Sequence, residues 1–236
     1  MRDNLKNEQY YTKLIKKTER DILMYGELVE EALQSKNEND RGVRNGYNIL
    51  INLYQKQINL MYSYGEDLDK IKKQYEELLH IYSKMWDRKY GYIELIKVLS
   101  LAVLFEIDKS DILDLEQKLA NEKFDDFLVN IFVKEIDELW YGNGDEFEFL
   151  GIYDCVKLLF EQNETSDAMK DYLQNKWYDI HRECPWYNSH LSKKDIYYGY
   201  WSFEAGAIAK ILNLDDSNLK DVSYYPYDLV HYKNKK

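Results

Sequence analysis

The sequence predicts an all-α protein: a multi-helix, antiparallel, bundle-like body with an N-terminal and a C-terminal helical layer packed together. Apolar residues recur at spacings of three and four over long stretches, the period of a helix with one buried face. No stretch alternates apolar and polar residues as a half-buried strand would. Only two prolines and ten glycines interrupt 236 residues.

The elements follow in order. Tyr11, Leu14, Ile15, Ile22, Tyr25, Val29, Ala32 and Leu33 make one stripe, and Asn37–Gly46 reads as a loop. Val43, Tyr47, Leu50, Ile51, Tyr54, Ile58, Met61 and Tyr62 make a second stripe, stopped by Gly65 in the position of a helix C-cap. Asp67 is placed to cap a third, with Leu68, Ile71, Tyr75, Leu78, Leu79, Tyr82 and Met85 on its inner face. Tyr92–Ile107 is apolar on nearly every side and reads as a buried helix. Asp108–Ser110 can cap a short helix through Leu119, and Phe124–Leu139 is another. Beyond the turn Trp140–Gly144, helices are expected over Asp145–Glu161 and Thr165–Ile180. Glu183–Leu191 holds Pro185 and reads as a loop. Ser192-Lys193-Lys194-Asp195 resembles a capping box that would start a helix running through Leu212. The tail Val222–Tyr232 contains Pro226 and reads as irregular. The two layers are expected to divide near residue 120, as 1–120 and 121–236, and to share one core, because no linker rich in Pro, Gly or Ser separates them.

Composition excludes several classes. Hydrophobic residues at 45% and aromatics at 15% can build a core, against disorder. Two cysteines, Cys155 and Cys184, are too few to staple a chain this long. The N-terminus lacks the apolar segment of a signal peptide, and the longest apolar run, around Val98–Phe105, is far short of the ~20 residues of a membrane span. The expectation is a cytoplasmic protein without a membrane contact.

The net charge of −11 is unevenly spread. Residues 106–183 carry 21 acidic and eight basic side chains, net −13, and the flanking segments are near neutral. Direct nucleic-acid binding would need the opposite sign. A basic partner would be attracted and its encounter accelerated.

Candidate chemistry is sparse. Gly142-Asn143-Gly144 lacks the lysine of a phosphate loop and reads as a turn. Glu77-x-x-His80 is a single pair, where di-iron bundles need two, and it falls opposite the apolar stripe. His181, Cys184 and His190 share one loop but form a weak zinc signal. Cys155 lies in a stretch with Ile152, Tyr153, Val156 and Leu158 and reads as a small core residue in a helix. No catalytic residue, metal or cofactor is assigned. The remaining feature is an acidic belt: Asp125, Asp126, Glu135, Asp137, Glu138, Asp145, Glu146, Glu148, Asp154, Glu161, Glu164, Asp167 and Asp171, with Trp140 and Tyr141 in a turn among them. It reads either as a solvated surface or as a binding surface, since aromatics among charges anchor interfaces.

The C-terminal third contains Tyr197-Tyr198-Gly199-Tyr200-Trp201-Ser202-Phe203-Glu204-Ala205-Gly206-Ala207, then Leu214-Asp215-Asp216, then Tyr224-Tyr225-Pro226-Tyr227-Asp228-Leu229. This string resembles the C-terminal half of the PoNi immunity proteins, which protect bacteria from PoNe-type DNase toxins. The opening Met1-Arg2-Asp3 and the tyrosine-rich helices through Tyr62 are similar to that family's N-terminal half. The resemblance implies an all-helical, non-enzymatic, cytoplasmic protein that binds a cognate toxin's nuclease domain, one to one. Tyr197, Tyr198, Gly199, Tyr200, Trp201, Phe203, Glu204, Asp215, Asp216, Tyr225, Pro226, Tyr227 and Asp228 match the family string. They are expected to make the fold, with Glu204 a buried carboxylate and Ala205-Gly206-Ala207 a place of close approach. Toxin contact is expected instead at Glu135, Asp137, Glu138, Trp140, Tyr141, Asp145, Glu146, Glu148, Asp154, Glu161, Asp167 and Asp171. The competing readings are an acidic helical adaptor without a nuclease partner and a metal-dependent hydrolase built from carboxylates.

Overall fold

A computed structural model describes residues 1–89, 91–149, 151–161 and 165–233, without the side chains of Glu161 and Thr165. It is all-α, and no strand occurs among the described residues. The chain forms two compact units. The first comprises Met1–Trp86 and Asn188–Tyr200; the second comprises Asp87–Tyr187 and Trp201–Lys236. The first carries a net charge of about +1 and the second about −12, counted from their sequences.

In the first unit the three helices lie where the stripes predict. They are α1 (Glu8–Leu33), α2 (Arg41–Tyr64) and α3 (Leu68–Met85). The loop expected over Asn37–Gly46 is shorter, because Asp40 caps α2 through the Gly42 amide and the helix already begins at Arg41. Asn7 caps α1, its side chain accepting from the Tyr10 amide at 2.9 Å. Gly46 lets α1 and α2 approach, since a β-carbon there would meet Val29 Cγ2 at 2.5 Å. Gly65 ends α2 at φ 95°, a conformation glycine adopts without steric cost, and the Glu66 amide closes back on the Met61 carbonyl at 2.9 Å. Asp67 caps α3. Tyr11, Tyr75, Leu78 and Tyr82 are fully buried.

The N-terminal residues and the returning segment Asn188–Tyr200 are tied to these helices by hydrogen bonds. The Arg2 and Asp3 amides donate to the Ser63 carbonyl, and Arg2 Nη1 donates to the Tyr62 and Glu66 carbonyls. These bonds satisfy carbonyls that a helix C-terminus leaves open. Asp3 then gathers three donors: Tyr11 Oη at 2.7 Å, the Leu5 amide at 2.8 Å, and Tyr197 Oη. Tyr10 Oη donates to the Tyr197 carbonyl and accepts from the Tyr197 amide. The Ser63 hydroxyl donates to the Tyr198 carbonyl. This backbone pairing corrects the helix expected from Ser192. Ser192 Oγ accepts locally from the Lys194 amide, Gly199 sits at φ 109°, and the helix begins only at Phe203.

The second unit is built on α4 (Tyr92–Leu104), whose Leu95, Ile96, Val98, Leu99, Leu101 and Leu104 are buried, as its apolarity on every side requires. It packs on α6 (Phe127–Ile136) and α10 (Phe203–Ile211). Between them α5 (Lys109–Asn121) buries Ile112, Leu115 and Leu119. In α10 Gly206 is the contact point, where a β-carbon would meet Pro226 Cγ at 2.5 Å. The tail is therefore not wholly irregular: Pro226 opens the short helix α11 (Tyr227–Val230) against α10.

Two further expectations are corrected. Helix α6 is shorter than Phe124–Leu139, because Asp126 caps it through the Leu128 and Val129 amides, both at 3.0 Å. Residues 145–149 and 151–153 are not helical; among the described residues of Asp145–Glu161 only a 3-10 turn (Asp154–Val156) and the single turn α7 (Leu158–Glu161) form. The reason is competition for backbone groups. The Gly144 amide donates to Asp125, the Glu148 amide donates to Asp126, and the Glu146 carbonyl accepts from the Phe127 amide. Gly151 then turns the chain at φ 110°. Thr165–Ile180 is helical, as α8 (Thr165–Asp171), a π-helical segment Tyr172–Trp177, and the last turn α9 (Tyr178–Ile180).

Candidate binding surface

The structure sorts the acidic belt into carboxylates occupied within the second unit and carboxylates left open. Asp126 is fully buried and accepts four hydrogen bonds, from the Leu128, Val129 and Glu148 amides and from Tyr92 Oη. Asp125 accepts from Asn130 Nδ2 at 2.7 Å and from the Gly144 amide at 2.9 Å, and these bonds hold its carboxyl below the usual range. Asp137 is 9% exposed; it pairs with Lys109 at 2.8 Å and accepts from the Leu139 amide, and both lower its pKa. Glu148 is ion-paired with Arg88. Asp154 accepts from the Gly151 amide at 3.0 Å. Asp171 pairs with Lys176 at 2.7 Å.

Glu135, Glu138, Asp145 and Glu146 are exposed, and no side-chain hydrogen bond or ion pair joins them to another described residue. Asp167 is exposed and accepts only a long bond from Asn218, at 3.4 Å. Glu164 and the Glu161 side chain lie outside the described residues.

The two aromatics divide in the same way. Trp140 is 8% exposed, and its indole nitrogen donates to Asn130 Oδ1 at 2.9 Å. Tyr141 is 50% exposed; its ring lies 4.3 Å from Trp140, and its hydroxyl donates to the Phe124 carbonyl. Asn130 therefore holds the loop at two points, Trp140 and the Gly144 carbonyl, and also donates to Asp125, which itself accepts from the Gly144 amide. The loop 137–149 thus runs back along α6 and presents Glu138, Tyr141, Asp145 and Glu146 on a fixed backbone. Sequence reasoning missed Leu139, 83% exposed, and Phe149, 42% exposed, on the same loop. The available signal was only that each directly follows an acid, Glu138 and Glu148, because both residues fall in stretches expected to be helical.

The residues of the C-terminal string are largely internal. Glu204, 5% exposed, accepts at one oxygen from Trp177 Nε1 (2.6 Å), Ser202 Oγ (2.6 Å) and Tyr172 Oη (3.1 Å). Asp216, also buried, accepts from Tyr225 Oη at 2.7 Å and from His231 Nε2 at 3.0 Å. Asp215 is exposed and turns the chain onto the Ser217 amide. Tyr197, Tyr200, Phe203, Tyr225 and Pro226 are buried, Tyr198, Gly199, Trp201 and Tyr227 are half-buried, and Asp228 is exposed.

The other candidate groups are held in ordinary roles. Glu77 and His80 are exposed on α3. His181 is buried against the Trp177 carbonyl at 2.7 Å, and His190 bonds Tyr200 Oη at 2.8 Å. Cys155 is half-buried in a 3-10 turn rather than in mid-helix. Burial raises the pKa of its thiol, and raises that of Cys184 to about 11, which disfavours the nucleophilic thiolate. Among the described residues no group of three His, Cys, Asp or Glu side chains is arranged to hold a metal ion. No described helix is long and apolar enough to cross a membrane.

The fold has a solved counterpart: protein PA2201 from Pseudomonas aeruginosa, whose crystal structure aligns with a TM-score of 0.67 at 14% identity, over 98% of this chain and 90% of that one. At that identity the likeness speaks for the fold alone. No curated protein matches the sequence. Two family models do, and together they span nearly the whole chain. The N-terminal model of the PoNe immunity proteins matches residues 2–117, and the C-terminal model matches residues 124–229. The chain therefore belongs to the PoNi family of PoNe immunity proteins.

Proposed function

We propose that this chain binds a cognate PoNe-type DNase toxin, one to one, and neutralises it by setting the acidic surface of its second unit against the toxin's DNA-binding groove. In this reading it is a cytoplasmic, non-enzymatic inhibitor that uses no cofactor and does not itself contact nucleic acid. The observation that carries the reading is the set of carboxylates left open after the paired ones are removed. Glu138, Asp145 and Glu146 stand with Leu139 and Tyr141 on one loop that is pinned to α6.

A nuclease holds the DNA backbone with Lys and Arg side chains. An opposed acidic surface steers the encounter and makes the on-rate sensitive to salt. Once docked, half-exposed aromatic and aliphatic side chains slow dissociation. Asp126, Asp137 and Glu148 serve this surface indirectly, by fixing the backbone that presents it.

The test is co-expression with the nuclease domain encoded beside the gene, followed by binding of the purified proteins. Rescue and direct binding are expected. The triple variant E138K/D145K/E146K should slow association by about tenfold at low salt while keeping the helical spectrum. An unchanged association rate would remove the loop from the docking surface. Absence of both rescue and binding would favour the adaptor reading.

A further inference from the structure

A groove of about 420 Å³ opens in the second unit beside the N-terminus of α4, lined by Arg88, Tyr92, Ile93, Glu94, Phe149 and Ile152. Its walls are mostly apolar, with the Tyr92 and Phe149 rings 5.0 Å apart. Two charged side chains reach it, and they differ. Arg88 is occupied: it pairs with Glu148, donates to the Glu122 carbonyl at 3.0 Å, and lies over the Phe124 ring at 5.3 Å. The half-buried carboxylate of Glu94 makes no hydrogen bond or contact ion pair with any described residue, and the buried Lys97 ammonium acts on it only through space. The carboxylate folds back over Gly91, in the space a β-carbon would fill.

We propose that this groove receives one basic side chain, a lysine or arginine, from the toxin's DNA-binding surface; the inference rests on the docking reading above. The occupant follows from charge and shape. An apolar side chain would strip water from the Glu94 charge and leave it only the through-space attraction of Lys97, which is costly, and an acidic one would be repelled. A lysine or arginine can lay its methylene stem against Ile93 and Ile152 and bring its cation to Glu94 beside two aromatic rings. Arg88 does not oppose it, because Glu148 takes up its charge. A unit of net charge about −12 draws such cations in.

The experiment is equilibrium and kinetic binding of the purified cognate nuclease domain to the full chain and three variants. Glu94→Gln keeps the shape and removes the charge; about tenfold weaker binding is expected, mostly through faster dissociation. Ile152→Arg places a cation in the groove from within and should weaken binding comparably. Gly91→Ala pushes the carboxylate aside without removing it and should give an intermediate loss. If Glu94→Gln melts early, the other two carry the test. A scan of Lys→Met and Arg→Met in the toxin should find one position whose effect is not additive with Glu94→Gln. Binding within twofold of wild type for both Glu94→Gln and Ile152→Arg, or no toxin cation coupled to Glu94, would overturn the groove and leave the docking reading standing. A wild-type chain that does not bind the toxin would overturn both.

Discussion

Single carboxylates in this protein do two different jobs, and their surroundings decide which. Glu204 gathers an indole, a phenol and a hydroxyl in a buried site. Removing it strands all three donors away from water, so Glu204→Ala should cost about 3 kcal/mol in urea unfolding, and Glu204→Gln less. Asp3 does the same for Tyr11 and Tyr197, and Tyr197→Phe, which removes one donor and keeps the ring, should cost about 1 kcal/mol. Asp125, Asp137 and Asp171 are held below their usual pKa, by Asn130, Lys109 and Lys176 respectively. The sign is fixed by that direction. A carboxylate whose folded pKa is lowered contributes stability that is present above its unfolded pKa and is lost as pH falls through the folded value. Burial raises the carboxyl pKa of Asp126, Glu116 and Glu135 and works in the opposite direction, so the test is a difference. The melting-temperature gap between wild type and Asp137→Asn should be present at neutral pH and shrink as pH falls through and below the ordinary aspartate range. A gap that stays constant or widens on acidification would contradict the assignment to Asp137.

At the scale of elements, the loop 137–149 shows what the sequence conceals. Outside the turn Trp140–Gly144 its residues read as helix because their local pattern permits one, but its amides and carbonyls are claimed by Asp125, Asp126 and Phe127, which are more than 15 positions away in the chain. Periodicity reports which face is buried and is blind to such claims. For that reason α1 to α3, each with a stripe, and α4, apolar on nearly every side, were legible, and the described residues 145–149 and 151–153 were not. The same blindness covers the binding surface. From the sequence, Asp126 and Asp145 are equivalent acids; in the structure one is a fully buried cap and the other is open. The π-helical segment is a further case. In an α-helix residues five apart lie about 140° apart around the axis. The wider turn over Tyr172–Trp177 brings both ends onto Glu204. Asn130 is the residue on which the loop depends most. Asn130→Ala removes its bonds to Asp125, Gly144 and Trp140, so amides of the loop should exchange faster than those of α4, and toxin affinity should fall with them. Unchanged exchange in the loop would mean that the capping aspartates hold it alone.

At the scale of the whole molecule, charge is divided between the units as sharply as fold is. The second unit carries almost the entire excess, about −12, against about +1 in the first. Two physical pictures make different use of this. If net charge alone attracts the toxin, any change of equal size should slow association equally, wherever it is made. If the surface around the 137–149 loop docks in the DNA groove, position should matter, because charges that enter the contact act on the oriented encounter and charges outside it act only through the net charge. Glu27, Glu30 and Glu31 are exposed on α1 of the first unit and supply the control. E27K/E30K/E31K changes net charge by the same amount as E138K/D145K/E146K. The docking model expects the second set to slow association by about tenfold at low ionic strength and the first set by no more than about twofold, with the two converging as salt rises. Stopped-flow association across a salt series reads both. Equal slowing by the two sets would reduce the acidic surface to a general attractor and move the specific contact elsewhere on the molecule.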